Sequence, residues 1–347
     1  MIDSSEISVV VQGAISGKSN DPLEAQLTRK VLRSIRKHLP KAEIILSTWK
    51  SSDVRELDFD VLIESEDPGA TLLGEHKGAK TFNNVNRQIA SAKVGLAQAK
   101  RKYAVKTRTD ILFVGRGFLR GWEEYRKRNA QFKFFGERVV ISTIYSPNPE
   151  RWSKKPFHPS DWFAFGLTED VRNLWDIPLA PEPETSLWFN SHPLPESRSD
   201  NDTMRYRPEQ YIWLSFLRKH IDVPCEHQWD YGEHNRELHE LSLANNLILL
   251  HPREIGIKFT KYRFGVLNWI SFYHHLEWLE LYKKYCDPDY PLPVNWRSPI
   301  QNMLSRWVER SPKFRYLLQW YDYRYVRLTQ AWNSPNRWES LKKLILR

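Results

Sequence analysis

Two cysteines in 347 residues, Cys225 and Cys286, are too few for a disulfide framework, and neither stands in the spacing of a cysteine-ligated zinc site. A reducing compartment is the simpler inference. Long apolar runs are missing too: no stretch approaches ~18 consecutive apolar residues, so a membrane-spanning helix is not expected. Residues 1–12 carry acids and a β-type run where a signal peptide would have a basic start and a longer apolar core. There is no internal repeat of useful length, which sets solenoids aside, and no low-complexity tract.

Aromatic residues are abundant. Fifteen Trp, fifteen Tyr and sixteen Phe, within an apolar fraction of 41%, give the chain enough apolar surface to offset the entropy of ordering, so it is expected to fold. At this length one large α/β domain with an appendage is the default expectation. The net charge of +10 is unevenly spread, with eleven Lys/Arg against three Asp/Glu between Trp296 and Arg347. A basic region interleaved with aromatics can follow nucleic-acid phosphates or lie on an anionic membrane surface.

Taken in order, residues 7–13 (ISVVVQG) read as a buried first strand running into a loop. Residues 22–38 have helical periodicity, with Asp21 as a cap and Pro22 in the first turn. Residues 42–48 and 59–64 read as strands, and 67–81 as a glycine-containing loop. Residues 83–102 form a helix by the spacing of Val85, Ile89, Ala92 and Leu96, capped by Asn83 or Asn84. A strand over 103–107 follows, ending in Arg108-Thr109-Asp110. Further expectations are a helix over 118–129, a strand over 138–145, a proline-rich segment over 146–160, an aperiodic loop over 178–207, a helix over 207–220 and a strand over 246–250. The fold class is α/β, with an open, mostly parallel twisted sheet, flanking helices and a helical C-terminal extension. A boundary is placed between residues 1–265 and 266–347.

A sheet of this kind builds its ligand site at the carboxyl edge of the strands. Asp110 is therefore the first candidate, although Asp also closes strands as an ordinary turn residue. Gln12 and Gly13, at the end of the first strand, lie at the same edge. Ser47, Thr48 and Trp49, at the end of the second, could help to hold a ligand there, or Trp49 could belong to the core.

Several short motifs, taken together, resemble a known family. They are Val11-Gln12-Gly13, Asn86-Arg87-Gln88 with Ser91, Lys106-x-Arg108-x-Asp110, Ser160-Asp161-Trp162-Phe163 and Pro208-Glu209-Gln210-Tyr211. In this order they resemble the WavE lipopolysaccharide synthesis family, regarded as bacterial glycosyltransferases of surface polysaccharides, over roughly residues 5–260. The resemblance implies a GT-A-like fold and transfer of a sugar from a nucleotide-sugar donor to a lipid-linked or core oligosaccharide acceptor. GT-A enzymes usually neutralise the leaving diphosphate with a divalent metal on an Asp-x-Asp. Here the matching stretch is Arg108-Thr109-Asp110. Either Asp110 alone anchors Mg²⁺ or Mn²⁺ through water-rich coordination, joined by His251 as a late ligand, or Arg108 and Arg87 supply the positive charge.

An inverting transfer needs a carboxylate to take the acceptor proton. By the same resemblance Glu209, at a helix start, is the first candidate base, and Asp161 with His158 the second; Glu209 could equally serve only the helix dipole. Two other functions stand beside this one: a nucleotidyl- or phosphoribosyl-type transferase on the same sheet, and a basic nucleic-acid-binding protein. No nucleic-acid-binding motif is visible, so no nucleic-acid partner is expected. In the tail, Ile300, Leu304, Trp307 and Val308 share one helical face and Phe314, Leu317, Leu318 and Tyr321 another, each beside arginines. That pattern suits a helix lying in a bilayer interface, so the expected location is cytoplasmic, peripheral on the inner face of the inner membrane. The alternatives are helices that cover the sheet domain or form a dimer contact.

Overall fold

β1 (Ile7–Gln12) is the apolar run read from the sequence, and all six of its residues are buried because it lies inside the sheet with covered faces. A computed structural model describes residues 2–15, 26–76, 79–195, 202–260 and 264–332. The expected cap at Asp21 and Pro22 lies outside them, and α1 is described from Leu27 to His38. The strands that follow are β2 (Glu43–Trp49), β3 (Val61–Ser65), β4 (Thr71–His76), β5 (Ala79–Asn83), β6 (Tyr103–Arg108), β7 (Ile111–Phe113), β8 (Val139–Ser142), β9 (Ala164–Leu167), β10 (Leu247–Leu250) and β11 (Ile257–Phe259). The remaining helices are α2 (Val85–Ala97), α3 (Thr168–Trp175), α4 (Pro208–Leu217), α5 (Glu233–Asn246), α6 (Pro252–Ile255), α7 (Val266–Ser271), α8 (His275–Tyr285), α9 (Arg297–Arg310) and α10 (Pro312–Trp332).

Seven strands form the central sheet in the order β10-β8-β9-β6-β1-β2-β3. β9 runs antiparallel to β6 and β8, and the other neighbouring pairs are parallel. This is the open, mostly parallel α/β sheet with flanking helices that was expected. α2 packs against β1 and β2 through Val85, Ile89, Ala92 and Leu96. Gly95 sets how closely it can approach: a Cβ there would lie 2.6 Å from Val10 Cγ1 and 3.0 Å from the Ser47 Cβ.

Two expectations are corrected. Residues 67–81, read as a loop, include the β4–β5 hairpin, whose register shifts between Leu72 and Gly74. Residues 118–129 are not a helix but a 3₁₀ turn (Gly117–Leu119) followed by irregular chain. Phe118, Trp122 and Tyr125 are buried at a spacing that imitates a helix, yet Gly121 has φ +67° and Arg138 takes the carbonyls of Tyr125 and Lys127 as acceptors. Those carbonyls point at a guanidinium instead of along a helix.

On the far side of residue 265, Leu267, Ile270 and Val308 form a small cluster of their own, while α8 packs on the sheet. Trp278, Leu279 and Tyr282 of α8 belong to the same core as the sheet. Arg151, fully buried, then ties α9 to this core: it pairs with Glu277 and donates to Phe272 O at 2.9 Å, Asn302 Oδ1 at 3.1 Å and Gln301 Oε1 at 3.2 Å. The face of α9 turned inward is therefore Gln301, Leu304, Ser305 and Val308, whereas Ile300 and Trp307 face outward. Sequence periodicity had put Ile300, Leu304, Trp307 and Val308 on one face; a polar network deciding the docking angle splits that set.

Candidate active site

β1 and β6 are neighbours in register, with Gln12 beside Arg108. Their carboxyl ends therefore open onto the same cleft, a cavity of about 1180 Å³. Gln12, Gly13, Arg87, Arg108, Asp110, His158 and Glu209 all line it, although they are spread over almost two hundred residues of chain. Gly13 leaves β1 at φ +117°, a conformation that favours glycine, and its N–H donates to Ser47 O at 3.0 Å. The Gln12 side chain is held from the α2 side, where Ser91 Oγ donates to its Oε1 at 2.5 Å.

Asp110 stands just past β6 and faces Arg108 side-on. Arg108 Nε donates to Oδ1 at 2.9 Å and Nη2 to Oδ2 at 2.8 Å, the two-pronged geometry that a guanidinium forms with a carboxylate. The guanidinium carbon lies 4.8 Å from the centre of the Trp162 ring. Arg87 is paired in the same way with Asp67, at 2.7 and 2.6 Å. Lys155, Arg207 and Arg87 join Arg108 in bringing four cationic side chains to the cleft wall.

Across the cleft, Glu209 opens α4 directly after Pro208, and 12% of its side chain is exposed. His158 Nε2 is 3.6 Å from Glu209 Oε2, and His158 Nδ1 is 3.0 Å from Tyr145 O. A carbonyl can only accept, so Nδ1 carries the proton and a neutral ring turns its Nε2 lone pair toward Glu209. Burial, and then the positive charges of Lys155 and Arg207, lower the His158 pKa to about 3, which keeps the ring neutral. Burial raises the Glu209 pKa.

Asp161, Thr48 and His251 are not in the cleft lining. Asp161 is buried behind it, where burial and the Glu209 carboxylate raise its pKa to about 6. The Thr48 side chain turns into the protein, 3.2 Å from Ser52 Oγ, while its strand neighbour Trp49 faces the cleft. His251 caps α6, its Nδ1 accepting from Arg253 N at 3.3 Å.

These positions bear on the expected metal. Among the described residues no group of three or more His, Cys, Asp or Glu side chains converges as a ligand set. His251 stands outside the cleft and Asp110 presents both oxygens to Arg108. The donor set therefore does not fit a divalent ion held by Asp110 and His251.

Sequence reasoning missed Lys155 and Arg207, whose loops carry no spacing signal, and the contribution of Asn268, Ser271 and Phe272 from the segment taken for an appendage. It named Lys106 only within a motif and gave it no role, although the residue sits fully buried within β6. Its signal was in plain view, a lysine in the middle of the otherwise apolar run YAVKT.

Comparison with known proteins adds a family and three distant structures. The model of the family described as "WavE lipopolysaccharide synthesis" matches residues 7–313, so the match runs past the limit of about 260 read from motifs and takes in α7, α8 and α9. No curated protein matches the sequence. Among solved structures, 4-diphosphocytidyl-2C-methyl-D-erythritolsynthase from Anaerococcus prevotii is similar at 10% identity over 68% of this chain and 97% of that one, with a TM-score of 0.31. S. aureus TarS is similar at 10% identity over 88% of this chain and 44% of that one, TM-score 0.33. Its 1–349 fragment is similar at 12% identity over 95% and 81%, TM-score 0.30.

Proposed function

The chain belongs to the WavE lipopolysaccharide synthesis family, and from that premise we propose that its cleft transfers a sugar from a nucleotide-sugar donor to a lipopolysaccharide or other surface-polysaccharide acceptor. The observation that carries the reading is the opposition of two chemistries across one cavity. Arg108 and Asp110 stand at the carboxyl end of β6, and Glu209 with neutral His158 stands at the start of α4. In the proposed reaction Glu209 takes the proton of the acceptor hydroxyl while that oxygen bonds to the anomeric carbon. The bond from that carbon to the diphosphate breaks, and its electron pair leaves with the nucleoside diphosphate. Attack opposite the leaving group inverts the anomeric centre. Arg108, Arg87, Lys155 and Arg207 meet the charge that develops on the diphosphate, in place of a protein-ligated Mg²⁺ or Mn²⁺.

Two measurements test this. Purified full-length protein is assayed for transfer from a panel of labelled nucleotide sugars to a polysaccharide lipid intermediate; if only nucleotidyl transfer is seen, the reading falls. In parallel, thermal unfolding is followed with UDP, GDP, CDP and ADP, each with Mn²⁺ or with EDTA. A ligand bound only to the folded state raises the unfolding temperature, and the proposal expects the rise to survive EDTA. A rise seen only with Mn²⁺ would return the charge role to a metal.

The same reading includes a place for the reaction. Among the described residues no helix is long and apolar enough to cross a membrane. α9 and α10 instead leave Trp307, Tyr316, Leu317 and Trp320 exposed, next to exposed Arg306 and Arg310. This combination supports peripheral attachment to an anionic surface, such as the inner face of the inner membrane, each basic residue near it contributing about 1 kcal/mol. Because Arg151 ties α9 into the core, removing the tail would disturb the fold. The test is therefore flotation of the full chain and a Trp307→Ser/Trp320→Ser variant with anionic and neutral liposomes. Binding of the wild type to anionic liposomes only, weakened by salt and by the variant, is expected; no flotation with either would refute attachment.

A further inference from the structure

Behind the cleft wall lies a second, much smaller cavity of about 20 Å³, roughly the space of one water molecule. Glu209 lines both, so it forms the partition between them. The small cavity is otherwise walled by Asp161, by Ser160, whose buried hydroxyl makes no hydrogen bond among the described residues, and by apolar side chains such as Phe163, Ile212, Trp175 and Trp213. Both Asp161 carboxyl oxygens are buried and make no hydrogen bond among the described residues. On the far side, Lys106 Nζ donates to the backbone carbonyl of Asp161 and lies 4.0 Å from the centre of the Trp175 ring. Two carboxyls and one ammonium thus share a site almost cut off from solvent. A buried carboxylate without partners is costly, and two like charges beside each other more so.

We propose that Glu209 and Asp161 form a carboxyl pair holding one proton between them across the small cavity, with the buried Lys106 ammonium as its counter-charge. One proton and one ammonium leave the enclosed group electrically neutral, the arrangement with the lowest desolvation cost. The surrounding groups agree with this. Burial, and then the Glu209 carboxylate, push the Asp161 pKa up, and burial pushes the Lys106 pKa down, so the enclosed group tends toward neutrality. Arg108, Arg207 and Lys155 face Glu209 as further cations, Asp110 faces Lys106, and His158 adds no charge while its ring is neutral.

The pair deepens the glycosyl-transfer reading by assigning Asp161 and Lys106 as positioning residues. Glu209 receives the acceptor proton from the cleft side, after which the pair holds two protons and loses one to solvent through the cleft. Resting and protonated pairs then differ by one charge, with Lys106 fixing the resting one.

The proton can be counted without turnover. Infrared spectra of the full-length protein at pH 7 are compared for wild type, Asp161→Asn, Glu209→Gln and Lys106→Met, in the region where protonated carboxyls absorb. Asp161→Asn and Glu209→Gln should each lose the intensity of one protonated carboxyl, because the remaining member is then ionised beside Lys106. Lys106→Met should gain the intensity of one, both members becoming neutral without the counter-charge. If Lys106→Met does not fold, the two carboxyl variants still decide. Spectra that match wild type in both variants overturn the pair. Loss in only one of them shows an ordinary buried acid and overturns it equally. The expected spectra combined with absence of sugar transfer would leave the pair standing and remove the glycosyl-transfer reading instead.

Discussion

Arg108 and Asp110 sit two residues apart at the end of β6 and satisfy each other with two parallel hydrogen bonds, 2.9 and 2.8 Å long, over the face of Trp162. The pair is a preset charge element at the cleft. Asp110→Asn keeps the shape but replaces one hydrogen-bonding oxygen with a donor that faces a donor. We expect it to remove transfer activity while the protein stays folded by circular dichroism; wild-type turnover would show that Asp110 only closes the strand. Arg108→Lys should not rescue function, since a single ammonium cannot reproduce the fork.

Glu209→Gln separates chemistry from binding. A general base acts in the transition state, so kcat should fall by ~10²–10⁴ with little change in the affinity for the nucleoside diphosphate. If the variant keeps its turnover, Glu209 is not the base.

His239 gives a pH dependence away from the cleft. Its Nδ1 accepts from Phe157 N at 3.0 Å, leaving Nε2–H to face Tyr273 Oη at 3.2 Å, so the ring is held neutral. Burial lowers its pKa from 6.5 to about 3. Between those values the unfolded chain binds the proton and the folded chain does not, so this contribution is complete above pH 6.5 and is lost as pH falls toward 3. In urea titrations at several pH values, wild type should lose stability over that window faster than His239→Gln. Parallel curves would contradict the assignment.

Gly95→Ala tests the approach of α2 to the sheet. A methyl group 2.6 Å from Val10 Cγ1 forces the helix outward, and overpacking of this kind costs about 1–3 kcal/mol, more than alanine's helix preference returns. Chemical denaturation should report a loss in that range. Because α2 also carries Ser91, the support of Gln12 in the cleft should loosen with it, measurable as weaker nucleotide stabilisation.

What the sequence determined by itself was whatever depends on neighbours along the chain. The apolar runs of β1, β2 and β6, the periodicity of α1, α2 and α4 and the placing of Asp110 past a strand follow from local pattern, because a strand buried on both faces must be apolar and a helix on a sheet must have a stripe. Five motifs in order were enough to suggest the family. What only the tertiary structure decided was whatever depends on partners far away in sequence. His158 meets Glu209 through loops with no period, and the buried Lys106 donates to the backbone carbonyl of Asp161, 55 residues further on. The apparent helix at 118–129 gives way to the demand of Arg138 for carbonyl acceptors. The face that α9 turns inward is chosen by Arg151 and Glu277, since a buried charge must find its partners wherever the fold supplies them, and no local rule for apolar spacing contains that requirement.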